Sequence, residues 1–144
     1  MALGSGPRPN ALVVVISALV GLVVRVALRV GRLDRVTAVL RLAARTARRP
    51  ATTQETLYVL RAVDAGARLL PVRIACLERS VSTVLILAAR RRGVTFCTGV
   101  KTPPLAAHAW VADPQGTPIG EPSTTAEFRP LLTISSTTTN RSTT

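Results

Sequence analysis

The sequence predicts an α+β domain in which helices come first and a short antiparallel sheet follows. Up to Gly93, apolar residues recur at helical spacing. Beyond it, the apolar segments are short, partly alternating and separated by Pro and Gly, which is typical of strands. A chain of 144 residues with 47% hydrophobic content is long enough for one packed core. Helices followed by strands therefore indicate the α+β class.

The first predicted helix begins in the longest apolar run of the chain, residues 11–24. This run is shorter than the roughly 20 apolar residues that span a bilayer. It also lacks the small-residue cleavage site of a signal peptide, because RVALRVGR follows it. Arg25, Arg29 and Arg32 then line up on one helical face. The segment 11–30 is expected to be a buried or partner-facing helix, with peripheral membrane contact and a true span as the alternatives.

Two more helices are predicted in the first half of the chain. Residues 34–48 carry apolar side chains at helical spacing, with arginines on the opposite face. Thr52 followed by Glu55 matches a capping box, which predicts a third helix over about residues 53–65. Residues 1–67 are therefore expected to form a helical region, either packed on the core or serving as a docking surface for it.

The predicted core covers residues 68–134. A fourth helix is expected over about residues 75–92, where Gly93 stops it. The segments VTFCTGV, AHAWVAD and TPIGE then predict an antiparallel meander. The polar tail 135–144 is rich in Ser and Thr and is expected to be disordered.

The charge balance is strongly basic. The chain has 19 basic and 7 acidic residues, which gives a net charge of +12. All of the basic residues are arginine except Lys101. Such a chain is attracted to acidic surfaces such as anionic lipid, nucleic acid or an acidic polypeptide, although genome base composition explains the arginine bias equally well. Aromatic residues make up only 3%, which argues against stacking platforms for nucleic acid. Two cysteines are too few to staple the chain, so a cytoplasmic location is expected, with membrane association as the alternative.

Two residues in the second half carry the candidate chemistry. Cys76 falls in the first turn of the fourth helix, where backbone N–H groups stabilise a thiolate and Arg79 would add to the effect. His108 is the only histidine in the chain and falls on a predicted strand. From there an imidazole can accept the thiol proton and later protonate a leaving amine. On spacing alone, a buried cysteine and a structural histidine explain the pattern as well.

A set of motifs decides between these interpretations. The set consists of CLERS from Cys76, Arg92-Gly93, Gly99-Val100, AHAWV around His108, and FRPLLTI. In order, spacing and residue type, these motifs resemble the leader peptidase of lasso-peptide biosynthesis, over about residues 68–134. The resemblance implies a papain-like, transglutaminase-type core in which Cys76 is the nucleophile and His108 the general base.

The acidic member of the site departs from the family's simplest pattern. The family often places an aspartate about twelve residues after the histidine, and Gly120 stands there in this chain. One extra residue in the turn that begins at Asp113 brings Glu121 into register. Glu121 is therefore the favoured acid, Asp113 is the alternative, and a site without an acid is the third interpretation.

Three other residues, Ser80, Trp110 and Cys97, also belong to these segments. Ser80 belongs to the helix motif, and Trp110 shares a strand face with His108, where it would screen the imidazole, form a substrate wall or simply pack in the core. Cys97 is expected to pack in a strand. No metal is expected, because Cys76, Cys97 and His108 include no closely spaced ligand pair.

The resemblance also implies the reaction and its partners. The enzyme would remove the leader from a ribosomally made precursor without a cofactor and hand the core peptide to a separate ATP-dependent lasso cyclase. The residues before Cys76 read as helices without strands, so a separate small leader-binding protein is expected rather than a fused domain. No nucleic-acid partner is expected. The alternatives are a Cys-His acyltransferase that uses the same residues, and a basic non-catalytic module that binds membrane or nucleic acid.

Overall fold

The computed structural model describes residues 7–31, 33–70, 75–103 and 105–135. Helices make up its first half apart from one two-residue strand, Arg49–Pro50, that the sequence did not predict, and the sheet follows them, which confirms the predicted α+β class. The helices are α1 (Ala11–Val30), α2 (Leu33–Thr46), α3 (Thr53–Leu69), α4 (Cys76–Ala89) and a short 3₁₀ helix (Ser123–Glu127). The strands are β1 (Arg49–Pro50), β2 (Arg92–Gly93), β3 (Thr95–Lys101), β4 (Ala106–Ala112) and β5 (Arg129–Ile134). Arg32 and all of the predicted tail after Ser135 lie outside the described residues.

Helix α1 includes the apolar run and the arginines at its end. Asn10 caps it, because its side-chain oxygen accepts a hydrogen bond from the Val13 N–H at 2.9 Å. One side of α1 packs on α3 and α4, and Arg25 on that side pairs with Glu78 of α4. The predicted helix is therefore partly buried against the rest of the fold.

Helix α3 begins at the predicted capping box. The Glu55 N–H donates to Thr52 Oγ1 at 3.1 Å, and Glu55 Oε1 accepts from the Thr52 N–H at 3.3 Å. The helix does not stop before Gly66 but continues to Leu69. Gly66 is needed for close packing instead, because a Cβ there would lie 2.7 Å from the backbone nitrogen of Ala18 in α1.

Helix α4 ends at Ala89, three residues before the predicted end. The reason is Arg91, which adopts a left-handed conformation with φ of 59° and turns the chain out of the helix. The next residues, β2, pair in parallel with β1, so the chain after α4 is joined to the chain before α3.

The three-stranded sheet has the order β4-β3-β5, with both pairs antiparallel. The prediction that TPIGE forms a strand is wrong, since only an isolated bridge joins Pro118 to Ala112. Pro118 has no N–H for a ladder, and Gly116 and Gly120 adopt positive φ on either side of it. The third strand is β5, which comes from the FRPLLTI segment.

A single main cluster of buried apolar residues draws on both halves of the chain. Leu40, Leu60 and Leu87 come from three different helices, and Phe96 and Val111 come from the sheet. Helix α4 lies between the other helices and β4, and it contacts both. This central position brings the start of α4 to the edge of the sheet.

Candidate active site

Cys76 is the first residue of α4 and is half-buried. The residue at the N-cap position is Ala75, which has no side-chain oxygen to cap the helix. Only half of a capping box forms, in which the Ala75 N–H donates to Glu78 Oε2 at 2.6 Å. The N–H groups of the first turn of α4 therefore donate no hydrogen bond to an N-cap side chain, and the start of a helix favours negative charge.

His108 lies on β4, opposite Gly99 of β3. Its Nε2 is 2.8 Å from Glu121 Oε2, so these two candidate residues form a hydrogen-bonded pair. When Glu121 engages Nε2, the other ring nitrogen, Nδ1, is the one left to exchange a proton with a thiol.

Glu121 is held by three side chains. Besides His108, Thr125 Oγ1 in the 3₁₀ helix donates to Oε2 at 3.2 Å, and Arg79 Nη1 lies 3.5 Å from Oε1. The Glu121 side chain is only 5% exposed, so these contacts replace water. The preceding residue, Gly120, has φ of 66°, a left-handed conformation that glycine adopts without strain.

Arg79 links the helices to this carboxylate. Its Nε and Nη2 donate to the two oxygens of Asp64 in α3 at 2.7 and 3.1 Å. Burial by itself would lower the pKa of Arg79, but the hydrogen bond and charge of Asp64, then the charges of Glu121 and Cys76, raise that pKa above its usual value. Cys76 makes the smallest of these contributions to the pKa of Arg79, and the strongest contacts of Arg79 are with the carboxylates.

Asp113 lies away from the imidazole, in the turn after β4. Its Oδ1 accepts hydrogen bonds from the Gln115 and Thr117 N–H groups at 3.0 and 2.8 Å. Its backbone N–H and carbonyl bond to Thr117 and Gly116 as well. Of the two acids considered from sequence, the structure brings Glu121 to His108 and leaves Asp113 as a turn residue.

Two aromatic rings pack against His108. The Trp110 ring is stacked on the imidazole with centroids 5.8 Å apart, and the Phe128 ring lies 5.3 Å away. Trp110 is itself buried, at 3% exposure. Gly99 makes room for it, because a Cβ at Gly99 would lie 2.9 Å from Trp110 Cη2 and closer still to the Arg129 carbonyl. The imidazole is therefore screened on one side by apolar surface.

Two other predicted positions lie inside the fold. Ser80, one turn after Cys76, is buried within α4. Cys97 is buried in β3, between Trp110 and Thr133 of the neighbouring strands. Within the described ranges, no cluster of three His, Cys, Asp or Glu side chains has the arrangement of a metal site.

Sequence reasoning missed three residues of this cluster: Asp64, Thr125 and Phe128. Asp64 is 15 residues from Arg79 in sequence, on another helix, and no motif joins the two. Thr125 follows Glu121 by four residues, a spacing that would have been informative only if the 3₁₀ helix had been foreseen. Phe128 is the first residue of the FRPLLTI motif. Of the three missed residues, it is therefore the one for which the sequence contained a signal.

Comparison with protein families agrees with this arrangement. A profile described as the transglutaminase-like superfamily matches residues 18–133, which is most of the chain. The chain belongs to the transglutaminase-like superfamily. The matched region of this transglutaminase-like domain includes Cys76, His108 and Glu121, and such domains are generally those of cysteine proteases or acyltransferases. No curated protein and no solved structure matches the chain.

Proposed function

We propose that this transglutaminase-like protein is a cysteine peptidase that removes the leader from a lasso-peptide precursor. The observation that carries the proposal is the His108–Glu121 pair, 2.8 Å apart, at the sheet edge against which the Cys76 helix packs. The resemblance of CLERS, AHAWV and FRPLLTI to lasso leader peptidases supplies the substrate class. Superfamily membership alone supports only the broader class of cysteine protease or acyltransferase.

The chemistry assigned to these residues is acyl transfer to water. His108 takes the Cys76 proton, and the sulfur attacks the carbonyl carbon of the last leader residue. The C–N bond breaks as His108 returns that proton to the leaving amine, which becomes the new N-terminus of the core peptide. Water then attacks the thioester while His108 accepts its proton, the C–S bond breaks as His108 returns that proton to the Cys76 sulfur, and the leader leaves as a carboxylic acid. Glu121 stabilises the imidazolium and fixes the ring orientation.

When the sulfur attacks, negative charge develops on the carbonyl oxygen of the substrate. The N–H of Cys76, at the start of α4, is the donor proposed to stabilise that oxyanion. Because Ala75 cannot cap the helix, no N-cap side chain competes for this donor. Trp110 and Phe128 keep water from one side of the imidazole, which strengthens its bond to Glu121.

A cleft beside Asp64 is the proposed contact for an acidic part of the precursor. The cleft has a volume of about 440 Å³ and is lined by residues that precede α1 and by one face of α3, including Arg8, Arg61 and Arg68. Its one carboxylate, Asp64, is already paired with Arg79. Among the described lining residues, guanidinium groups outnumber carboxylates by three to one, which gives an electropositive wall that suits an acidic peptide.

The proposal includes two protein partners. A separate small leader-binding protein would hold the leader, and an ATP-dependent lasso cyclase would take the core. Tethering the precursor through its leader gives an effective concentration of about millimolar, so that a weak peptidase site becomes efficient. Cleavage is expected to be slow with the chain alone, faster with the partner, and slower again as salt screens the arginines.

The test is to incubate the full chain with a lasso-peptide precursor, with and without a leader-binding protein, and to identify products by mass spectrometry. Parallel reactions contain isotopically labelled water or an added primary amine. Hydrolysis predicts a leader carboxylate that carries the label, in a reaction that the partner accelerates. An amide of the added amine as the main product would instead assign the acyltransferase reaction. If the products are the same as those of a Cys76→Ala control reaction, both the peptidase and the acyltransferase assignments are wrong.

A further inference from the structure

Helix α1 turns its most apolar side away from the protein. Between residues 11 and 27, every exposed position of this helix is aliphatic. By length and composition α1 could cross a membrane, with a mean hydropathy of 2.7, yet only 22% of that stretch is buried. A contiguous apolar surface of this kind marks an interaction site. The outward face consists of Leu12, Val15, Ile16, Leu19, Leu22, Val23, Val26 and Val30.

The inward side of α1 is the more polar one. It carries Ser17, Ala18, Gly21 and Arg25 beside the buried Val24, and Arg25 pairs with Glu78 at 3.9 Å. The Ser17 hydroxyl is buried and has no hydrogen-bond partner among the described residues. Helices on the surface of a protein in water have the reverse arrangement, with the polar face outward. Small and polar residues inward with aliphatic residues outward is the arrangement of helices that face lipid.

Open apolar grooves run along both sides of α1. One, of about 740 Å³, lies between α1, α2 and α4, and the other, of about 520 Å³, lies between α1 and α4. Among the described residues that line them, apart from Gly31, the walls are aliphatic except for Arg35 in the first groove and Arg90 in the second. The cores of protein–protein interfaces favour aromatic residues and methionine, and these grooves contain neither. Acyl chains require only aliphatic walls, and arginine suits a phosphate headgroup.

We propose that the outward face of α1 is a membrane-contacting surface, inserted between the acyl chains of an anionic leaflet. Arg35 and Arg90 then lie at headgroup level, and the net charge of +12 draws the chain to the leaflet. The helix lies parallel to the membrane and does not span it, because α3 and α4 cover its other side and the Arg25–Glu78 pair would otherwise enter hydrocarbon. This inference does not depend on which reaction the active site performs.

The test is flotation of the full chain with vesicles of phosphatidylcholine, alone or mixed with phosphatidylglycerol. The wild-type chain should float with the mixed vesicles and much less with the neutral ones. Leu19→Asp places a charge on the outward face and should reduce binding by about tenfold or more. Leu131→Asp is the matched control, because Leu131 on β5 is similarly exposed, 68% against 59% for Leu19. The control should bind as the wild type does.

Two further variants keep the test independent of one substitution. Val23 borders both grooves, so Val23→Asp should repeat the effect of Leu19→Asp. The double variant Arg35→Glu with Arg90→Glu should lose the preference for anionic vesicles while leaving the apolar face intact. Melting curves from circular dichroism identify any variant that is unfolded, and that variant is then set aside in favour of the other two.

Several results would overturn the proposal. These are no flotation with either vesicle, equal loss in Leu19→Asp and Leu131→Asp, or equal binding to both lipids. Self-association in the absence of lipid that Leu19→Asp abolishes would assign the surface to a second copy of the chain. Binding of the leader-binding protein that Leu19→Asp abolishes, without any vesicle binding, would assign it to that partner.

Discussion

The two cysteines lie in opposite kinds of surroundings. Cys76 is half-buried at the start of α4, where Ala75 provides no side-chain cap and Arg79 is near enough to interact with it. Cys97 is in the central strand of the sheet, 6% exposed, where burial raises the pKa of its thiol although a hydrogen bond with Thr133 partly opposes the shift. The same side chain lies at a helix start near a guanidinium in one position and inside the sheet, away from water, in the other. The element that carries a cysteine, more than the residue itself, decides its chemistry.

Removing each thiol should give the largest difference between the two positions. Cys76→Ala is expected to abolish precursor cleavage, a loss of about 10⁴-fold or more, because the nucleophile is gone. Cys97→Ala removes a small buried side chain and should cost about 1 kcal/mol of stability with kcat nearly unchanged. Cleavage rates and chemical melts of both variants measure this. If the Cys97→Ala protein were folded but inactive, the assignment of the nucleophile to α4 would be wrong.

A second pair of variants sharpens the comparison at the two acids. Glu121→Gln keeps the shape of the side chain but removes the charge that stabilises the imidazolium, so kcat should fall by about 100-fold with KM little changed. Asp113→Asn keeps a turn-forming oxygen and should alter kcat by about twofold or less. Steady-state kinetics of both variants, with matched melting curves, decide the matter. Equal and mild effects would mean that another group orients His108.

The smallest expected effect is on alkylation. Iodoacetamide at neutral pH should modify Cys76 about tenfold faster than Cys97, because only Cys76 is accessible at a helix start. A raised pKa means that the folded state favours the protonated Cys97 thiol, so this contribution to stability is present below the ordinary pKa of cysteine and is lost as pH rises above it. Labelling of Cys97 should therefore increase steeply at alkaline pH, as peptide mapping by mass spectrometry would detect. Faster labelling of Cys97 at neutral pH would reverse the comparison.

Local signals predicted much of the fold. Thr52 and Glu55 fixed the start of α3, because a capping box depends on neighbours in sequence. The end of α4 was less predictable, since Arg91 has no residue-type signature for a left-handed conformation. The third strand was also misjudged, because β5 is selected by its pairing with β3 across more than thirty residues. Non-local pairing of this kind leaves little trace in a local pattern.

In the candidate site, too, local motifs predicted some residues, whereas contacts between distant elements were not predicted. The positions of Cys76, His108 and Glu121 came from motifs, and the structure brings the last two within hydrogen-bond distance, whereas their catalytic roles stay predictions. The contact of Arg79 with Asp64 joins two helices and could not be read from spacing. The orientation of α1 was likewise open, because an apolar run does not say which of its sides faces inward.

A series of polar contacts also limits which segments of this protein can be exchanged for those of another protein. It runs from Asp64 through Arg79 and Glu121 to His108. It passes from α3 to α4 and then to the loop before the 3₁₀ helix, crossing from the helical region into the core. A chimaera that joins residues 68–134 to foreign helices would leave the partly buried guanidinium of Arg79 without Asp64, its strongest partner. Recombination that preserved function would have to exchange α3 together with the sheet, so the two halves are expected to be inherited as one unit.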